Sequence, residues 1–390
     1  MTSLVNRILC RVSLGLITAA AVTTAAAQHS EIGPTTDAQV QSQNKTKIAL
    51  IVSPKGSVLS EAAAPIQQGI LAASREATAS GACELIQYEL SSPQDAGAVL
   101  KKAADDGAVL AIGPVSRDAV QTISEMPYLP LPVVAINRPS GETAPELFLS
   151  IDISAESEVD QLAKIAVENT AQKTDLAANN FVILTTQDPY DERLARAMEA
   201  ALIKAGAGAE RRHISSDQIA YLRQEMRGKA FRGVFFAMNA QNASLLRPYL
   251  PPELPVFGTS YTNPMHQKDS MLAKTQANDL NGMITLEIPA EENASTFVAQ
   301  YKGDRENFSP EDLQMFSVGV DAWQLGTKWI DWARRIEVPN GLTGRLSFDK
   351  DNGSKVKREL VKTVVSPNKT GKTSEEDLVQ FTESAEEAGL

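Results

Sequence analysis

Polar side chains follow short apolar runs in the first half of the chain, where small ligands are commonly held. Ser53 and Ser57 follow the first such run, Ser116 follows the third, and Asn137 follows the fourth. Hydroxyl and amide groups beside the backbone N–H groups of a helix start can hold a carboxylate or another anion. We take Ser116 and Asn137 as the first choices for that contact. The alternative is that all four are turn or capping residues of an ordinary α/β sheet.

A second polar set occupies equivalent positions in the second half of the chain. Asp188, Tyr190, Asn239 and Tyr261 each come directly after a predicted strand. These side chains could face the first set across a cleft and complete a ligand site. Tyr190 could equally be a packed aromatic residue whose hydroxyl stays in water.

Signatures of catalysis are missing from the sequence. The histidines, His29, His213 and His266, do not have the spacing of metal ligands, and no Gly-x-Ser-x-Gly nucleophile motif occurs. Glu291 and Glu292 are adjacent at a predicted helix start, where they point apart and favour the helix dipole. We therefore predict a protein that is not an enzyme and that has no cofactor and no metal site.

The elements that must position these residues form a unit that occurs twice, from Lys47 to Ala77 and from Asn180 to Gly206. Each copy has a β-branched apolar run, a polar loop with Gly or Pro, and apolar residues at helical spacing. This order predicts an α/β fold with parallel sheets covered by helices on both faces. Loops at the carboxyl ends of such strands form the ligand crevice. The repeat therefore predicts two Rossmann-like lobes that face each other across a cleft.

Three segments have strand character but no helix of their own, and they begin at Phe148, Asn281 and Gly341. We interpret them as three crossover strands between the lobes, so that each lobe is built from discontinuous pieces. The predicted division assigns residues 47–150 and 282–338 to lobe 1, and residues 151–281 and 339–366 to lobe 2.

The N-terminus is typical of a secretory signal peptide over residues 1–27. Arg7 and Arg11 lead into an apolar stretch, and Ala25, Ala26 and Ala27 supply a small-residue cleavage pattern. Residues 28–46 are predicted to be a flexible leader, and residues 367–390 a disordered acidic tail. We expect a periplasmic protein with no transmembrane segment after signal cleavage; a signal that is kept as an anchor is the alternative.

Composition narrows the class of partner. The 390 residues are 43% hydrophobic and carry a formal net charge of −11, and signal cleavage removes two arginines and no acidic residue. The acidic balance argues against nucleic acid as a partner, because neutralising phosphates requires clustered Lys and Arg. Cys10 leaves with the signal, so Cys83 has no intrachain partner and is predicted to be a small buried hydrophobe.

The order of motifs resembles the type I periplasmic binding fold of branched-chain amino-acid receptors. The segments that carry this resemblance are IALIVSPKG with IQQGILAA, AIGPVSRDAV, ILTTQDPYDERLARAMEAALIKAG, FVAQYKGDRENFSPEDLQMFSVGVDAWQLGTKWI and GLTGRLSFDKDNG. The resemblance covers almost all of residues 47–365. It implies a two-lobed binding protein in which the polar sets described above line the cleft.

Within that fold, some pieces are closer to the LppC-like family, the penicillin-binding-protein activators of the bacterial envelope. They are IGPVSRDAV with LPLPVVAINRP, PVFGTSYTNP, NDLNGMITLEIPAE and GLTGRLSFD. This resemblance implies a regulator that stimulates a peptidoglycan synthase from the periplasmic side. Two departures are the missing lipid-accepting Cys and the short leader, where the best-known members carry an N-terminal helical-repeat domain.

One departure bears on the ligand. Amino-acid receptors pair the ligand's ammonium group with a carboxylate, since an unpaired buried charge is costly. The loop where the family supplies it, residues 258–263, contains no Asp or Glu. We therefore expect a regulator of a peptidoglycan synthase, with a solute receptor of an ABC transporter for a small polar ligand as the alternative.

Overall fold

The fold is organised by two separate β-sheets whose central strands are buried on both faces. The computed structural model describes residues 45–141, 143–171, 180–215, 219–226, 231–266, 270–292, 301, 308–330 and 334–367. The predicted signal peptide, nearly all of the predicted leader and nearly all of the predicted tail lie outside these residues.

The first sheet has eight strands in the order β11-β12-β13-β5-β4-β3-β1-β2. Its strands are Thr46–Val52 (β1), Cys83–Glu89 (β2), Ala108–Ile112 (β3), Val133–Ala135 (β4), Phe148–Ile151 (β5), Arg335–Gly341 (β11), Gly344–Asp349 (β12) and Lys355–Glu359 (β13). The six strands from β13 to β2 pair in parallel, and β11, β12 and β13 pair antiparallel. This sheet defines the first lobe.

The second sheet has six strands in the order β14-β10-β9-β8-β6-β7. They are Asn180–Thr185 (β6), Gly208–His213 (β7), Val234–Ala237 (β8), Val256–Gly258 (β9), Ile284–Glu287 (β10) and Val361–Val364 (β14). Only β14 runs antiparallel to its neighbour. This sheet defines the second lobe.

Helices lie on both faces of each sheet, as strand–loop–helix repeats require. The helices among the described residues are Val58–Ala79 (α1), Ala96–Asp105 (α2), Arg117–Ser124 (α3), Val159–Asn169 (α4), Pro189–Lys204 (α5), Ile219–Met226 (α6), Ala240–Leu246 (α7), Ser270–Asp279 (α8), Pro289–Glu292 (α9) and Pro310–Trp329 (α10). None of them combines the length and the apolar character that a membrane span requires.

The alternation of side chains along β1 shows why the sheet needs two layers of helices. Ile48 and Leu50 pack with α1 and α10 on one face, while Ala49 and Ile51 pack with α2 and α3 on the other. Successive side chains of a strand point to opposite faces, so a run that is apolar at every position must be covered twice. The second sheet follows the same rule, with α5 on one face and α6 and α7 on the other.

The chain passes between the lobes three times. The first crossing lies between β5 and α4 at residues 152–158, the second between β10 and α10 at residues 288–309, and the third at Leu360 between β13 and β14. The predicted two-lobed architecture with three crossings is confirmed. The crossings after the segments from Phe148 and Asn281 agree with the prediction, whereas the third lies at Leu360 and not at the segment from Gly341.

Several boundaries differ from the predicted division. Residues 339–366 were assigned to lobe 2, but β12 and β13 belong to the first sheet and only β14 joins the second. Residues 284–287 were assigned to lobe 1, but β10 pairs with β9 in the second lobe. The first difference arises at Leu360, where the chain leaves β13 of the first sheet and enters β14 of the second.

Candidate functional site

Four of the eight predicted site residues are helix N-caps. Each side chain accepts a hydrogen bond from a backbone N–H of the first helical turn, which satisfies a donor that the helix itself leaves unpaired. The pairs are Ser57 with Ser60 at 3.1 Å, Ser116 with Ala119 at 3.4 Å, Asp188 with Tyr190 at 2.7 Å and Asn239 with Asn242 at 2.9 Å. The capping alternative is thus observed, and a ligand contact for these residues stays a prediction.

In the first lobe, a small cavity lies beside Ser53. A cavity of about 10 Å³ is lined by Ser53, Gly113, Val115 and Ile136 at the carboxyl edge of the sheet, which is room for about one water molecule. The Asn137 amide donates to the Val115 carbonyl at 3.1 Å and accepts from the Arg138 N–H at 2.9 Å. The N–H group and the oxygen of the Asn137 side-chain amide are therefore both engaged within the protein.

In the second lobe the predicted residues contact one another. The rings of Tyr190 and Tyr261 meet edge to face, with centroids 4.7 Å apart. The Arg193 guanidinium lies 4.8 Å from the Tyr190 ring centroid and donates to Glu156 Oε1 at 2.6 Å. Burial, followed by the charge of Glu156, raises the pKa of Tyr190.

Asp191 belongs to this site and was not among the predicted residues. It is 1% exposed and accepts a hydrogen bond from Thr186 at 2.5 Å. Burial, followed by the charge of Asp191, raises the pKa of Tyr261 to about 12. An acidic residue in the first turn of a helix is usually explained by its favourable interaction with the helix dipole. The only feature of the sequence that could have pointed to Asp191 was therefore its position next to Tyr190.

We call Tyr190, Asp191, Asn239 and Tyr261 the second-lobe polar cluster. Burial raises the pKa of the Asp191 carboxyl above its usual range, although the Thr186 hydroxyl opposes the shift. Its Oδ1 atom is buried and has no hydrogen-bond partner among the described residues. The cluster can therefore accept one more hydrogen bond, from a polar or cationic group that reaches Asp191.

Metal chemistry has no support among the described residues, since they contain no group of three or more His, Cys, Asp or Glu side chains arranged to hold an ion. His266 pairs with Glu287, and its Nε2 atom lies 2.9 Å from the Glu287 Oε2 atom. Cys83 is buried at the start of β2 and forms no disulfide among the described residues.

Charged side chains converge where the chain crosses between the lobes. We call Asp152, Glu158, Asp321 and Arg358 the hinge cluster. Its three carboxylates are 9%, 2% and 0% exposed, in that order, and all three act electrostatically on the Arg358 guanidinium. This cluster was not predicted, because its members are up to 206 positions apart in the sequence and only the crossings bring them together.

Two members of the hinge cluster also hold backbone in place. Glu158 accepts from the Ser260 N–H at 2.8 Å and from the Ser260 hydroxyl, which ties the first crossing to the loop after β9. Asp321 accepts from the N–H groups of Leu342 and Thr343, each at 2.8 Å, and so fixes the turn between β11 and β12.

Asp321 is expected to make the free energy of unfolding fall as the pH rises from 4 to 7. Burial raises its pKa from 3.8 to about 6, against the opposing bonds from Thr343 and Leu342. The folded protein then holds this proton more tightly than the unfolded chain does. The stabilisation of the folded state that results is complete below about pH 4 and is lost as the pH rises through about 6. The free energy of unfolding of the wild type relative to Asp321→Asn should fall by roughly 2–3 kcal/mol between pH 4 and pH 7.

Urea unfolding at unit pH steps measures that difference. Asp118→Asn, at an exposed position in α3, is the matched control for pH effects that any Asp→Asn change produces. A difference between wild type and Asp321→Asn that stays constant from pH 4 to pH 7 would contradict the prediction.

Comparisons with known proteins place the fold. No family model and no curated protein matches the chain. Among solved structures, one described as a branched-chain amino acid ABC transporter from Chromobacterium violaceum is 23% identical with a TM-score of 0.66, over 82% of this chain and 100% of the other. A leucine binding protein, LivK from Thermotoga maritima, is 18% identical with a TM-score of 0.53, over 82% of this chain and 95% of the other.

LpoA of Haemophilus influenzae also matches. Its C-domain, described as a regulator of PBP1A, is 18% identical with a TM-score of 0.62, over 82% of this chain and 98% of that domain. Against full-length LpoA the chain spans only 58% of the other protein. At these identities the likeness concerns the fold, and it confirms the predicted type I periplasmic binding protein architecture.

Proposed function

We propose that this protein is a non-catalytic regulator of a peptidoglycan synthase, acting in the bacterial periplasm. The match to the regulatory C-domain of LpoA supports this, since it extends over 98% of that domain. The partner would be a penicillin-binding protein. The acidic composition and the signal-like N-terminus are consistent with an envelope protein that binds neither nucleic acid nor an anionic surface.

The observation that carries the proposal is the state of the predicted ligand site. Small-molecule sites are oriented by a small number of placed polar groups, but four of the predicted polar side chains already cap helices: Ser57, Ser116, Asp188 and Asn239. In the second lobe, the rings of Tyr190 and Tyr261 pack edge to face, and the Arg193 guanidinium lies over the Tyr190 ring. Most of the side chains that would bind a solute thus already contact the protein.

The alternative is a solute-binding receptor of an ABC transporter. It is supported by the match to the Chromobacterium violaceum protein over 100% of that chain, and by the unpartnered Oδ1 of Asp191, which could accept a bond from an ammonium group.

Two measurements on the same protein separate these functions. A regulator should bind the periplasmic part of a penicillin-binding protein from the same organism in a saturable manner, and its melting temperature should not respond to amino acids or short peptides. A receptor should show a saturable rise in melting temperature with one such ligand, by mass action. A ligand-induced rise with no synthase binding would overturn the regulator.

Site variants test the alternative residue by residue. If a ligand raises the melting temperature, Tyr190→Ala and Ser116→Ala should abolish that rise while leaving the protein folded. Ser116→Asp is the matched control, because Asp also caps a helix but lacks the hydroxyl hydrogen. Unchanged ligand affinity in both alanine variants would remove these residues from the site.

A further inference from the structure

Arg358 lies where all three crossings meet. It is in β13, two residues before the third crossing at Leu360. Its Nη2 atom donates to Ser157 Oγ in the first crossing at 3.2 Å. The carboxylates that act on it are Asp152 and Glu158, which border the first crossing, and Asp321 in α10, which follows the second.

Each of these partners is fixed in turn to backbone of the hinge. Glu158 holds Ser260 of the second lobe, and Asp321 holds the Leu342–Thr343 turn. The Leu342 carbonyl accepts from the Ala290 N–H of the second crossing at 3.1 Å. The guanidinium is therefore connected directly to Ser157 in the first crossing, and through Asp321 and Leu342 to Ala290 in the second.

A second contact fastens the third crossing to the first. Gln161 of α4 donates from Nε2 to the Leu360 carbonyl at 2.7 Å and accepts from the Leu360 N–H at 3.0 Å. This pair leaves the backbone of Leu360 little freedom, so the position of β13 relative to α4 is set close to Arg358. A change in the angle between the lobes must move Arg358 relative to the Asp152–Glu158 segment.

The guanidinium is incompletely paired in this conformation. Its Nε and Nη1 atoms are buried and have no hydrogen-bond partner among the described residues, although the charges of three nearby carboxylates act on it. Charged N–H groups gain most from a direct bond to a carboxylate. A small rotation that brings Asp152 or Glu158 onto these atoms would pair them, so the cluster can stabilise a second lobe angle.

We propose that Arg358 is a hinge-positioning residue that sets the angle between the two lobes and holds the hinge to a small number of defined angles. The proposal does not depend on what the protein binds. It concerns the conformational range of the unliganded protein, and it applies equally to a regulator and to a receptor.

Single-molecule energy transfer between the lobes tests it. Dyes at Tyr128→Cys in the first lobe and Ile203→Cys in the second would occupy positions that are 74% and 63% exposed, in a chain that carries Cys10→Ser. For Arg358→Met we expect about a tenfold larger fraction of molecules outside the wild-type range of distances, as expected when a minor conformation is released. Arg345→Met, on the adjacent strand β12 with a side chain 60% exposed, should leave the distribution unchanged.

Arg358→Lys keeps the test decisive if the Met variant does not fold. Lysine retains the charge but lacks the planar fork that reaches Ser157 and the carboxylates together, so a smaller shift in the same direction is expected. A folded Arg358→Met whose distance distribution equals that of Arg345→Met overturns the proposal. If only the Lys variant folds, a distribution equal to that of Arg345→Lys overturns it.

Discussion

Gly319→Ala is expected to lower the free energy of unfolding by roughly 3 kcal/mol, because the new methyl group would overlap backbone. A Cβ at Gly319 would lie 2.0 Å from the Ile66 carbonyl oxygen, and one at Gly69 would lie 2.1 Å from the Phe316 carbonyl oxygen. Each helix thus places a glycine against the backbone of the other. Neither backbone can move aside, since both helices are packed on the first sheet.

The control for this change is another helical glycine. A Cβ at Gly97 in α2 would meet only the end of the flexible Met126 side chain, at 3.3 Å. Gly97→Ala should be neutral or should stabilise the helix by up to about 1 kcal/mol, which is the propensity difference between the two residues. Denaturant unfolding measures both variants, and equal stabilities of Gly319→Ala and Gly97→Ala would show that α1 and α10 do not pack this closely.

Glu158→Ala should have a comparable effect through electrostatics rather than packing. It removes the acceptor for the N–H and hydroxyl of Ser260 and one of the three negative charges that face Arg358. Buried donors left without a partner cost about 1–3 kcal/mol, and removing one member of a buried charged set costs about 3–5 kcal/mol. We expect a total loss of about 3–5 kcal/mol, since these contributions overlap.

Glu158→Gln is expected to lose less, because the amide oxygen still accepts from Ser260. Glu168→Ala, at an exposed position on the same helix, should change the free energy of unfolding by less than about 0.5 kcal/mol. Thermal and urea unfolding of the three variants give the comparison. A Glu158→Ala protein as stable as Glu168→Ala would mean that Glu158 does not hold the first crossing to the second lobe.

The architecture could be predicted from patterns that are local in the sequence. The apolar runs of β1 and β6 and the helical spacing that follows each of them predicted parallel sheets and two lobes. Ser116 and Asn239 were predicted to contact a ligand because each comes directly after a strand. In the structure, both of them cap helices. A side chain that follows a strand and opens a helix suits either role, and the sequence alone does not separate them.

Features that depend on distant contacts were missed. The segment from Val356 to Val365 has apolar residues interspersed with charged ones and looks like one strand, but its first part pairs with β5 and its second part with β10, which divides it at Leu360. Asp191 was overlooked because its partners, Thr186 and Tyr261, come from different loops. The close approach of α1 and α10 joins glycines 250 positions apart, Gly69 and Gly319.

The most direct test of the account is the rate of glycan polymerisation by a penicillin-binding protein from the same organism, measured with and without this protein. We predict a saturable increase in rate that is insensitive to added leucine, because the groups that would bind a solute are engaged within the protein. An unchanged rate at saturating protein, under conditions where the synthase is active, would contradict the proposed function.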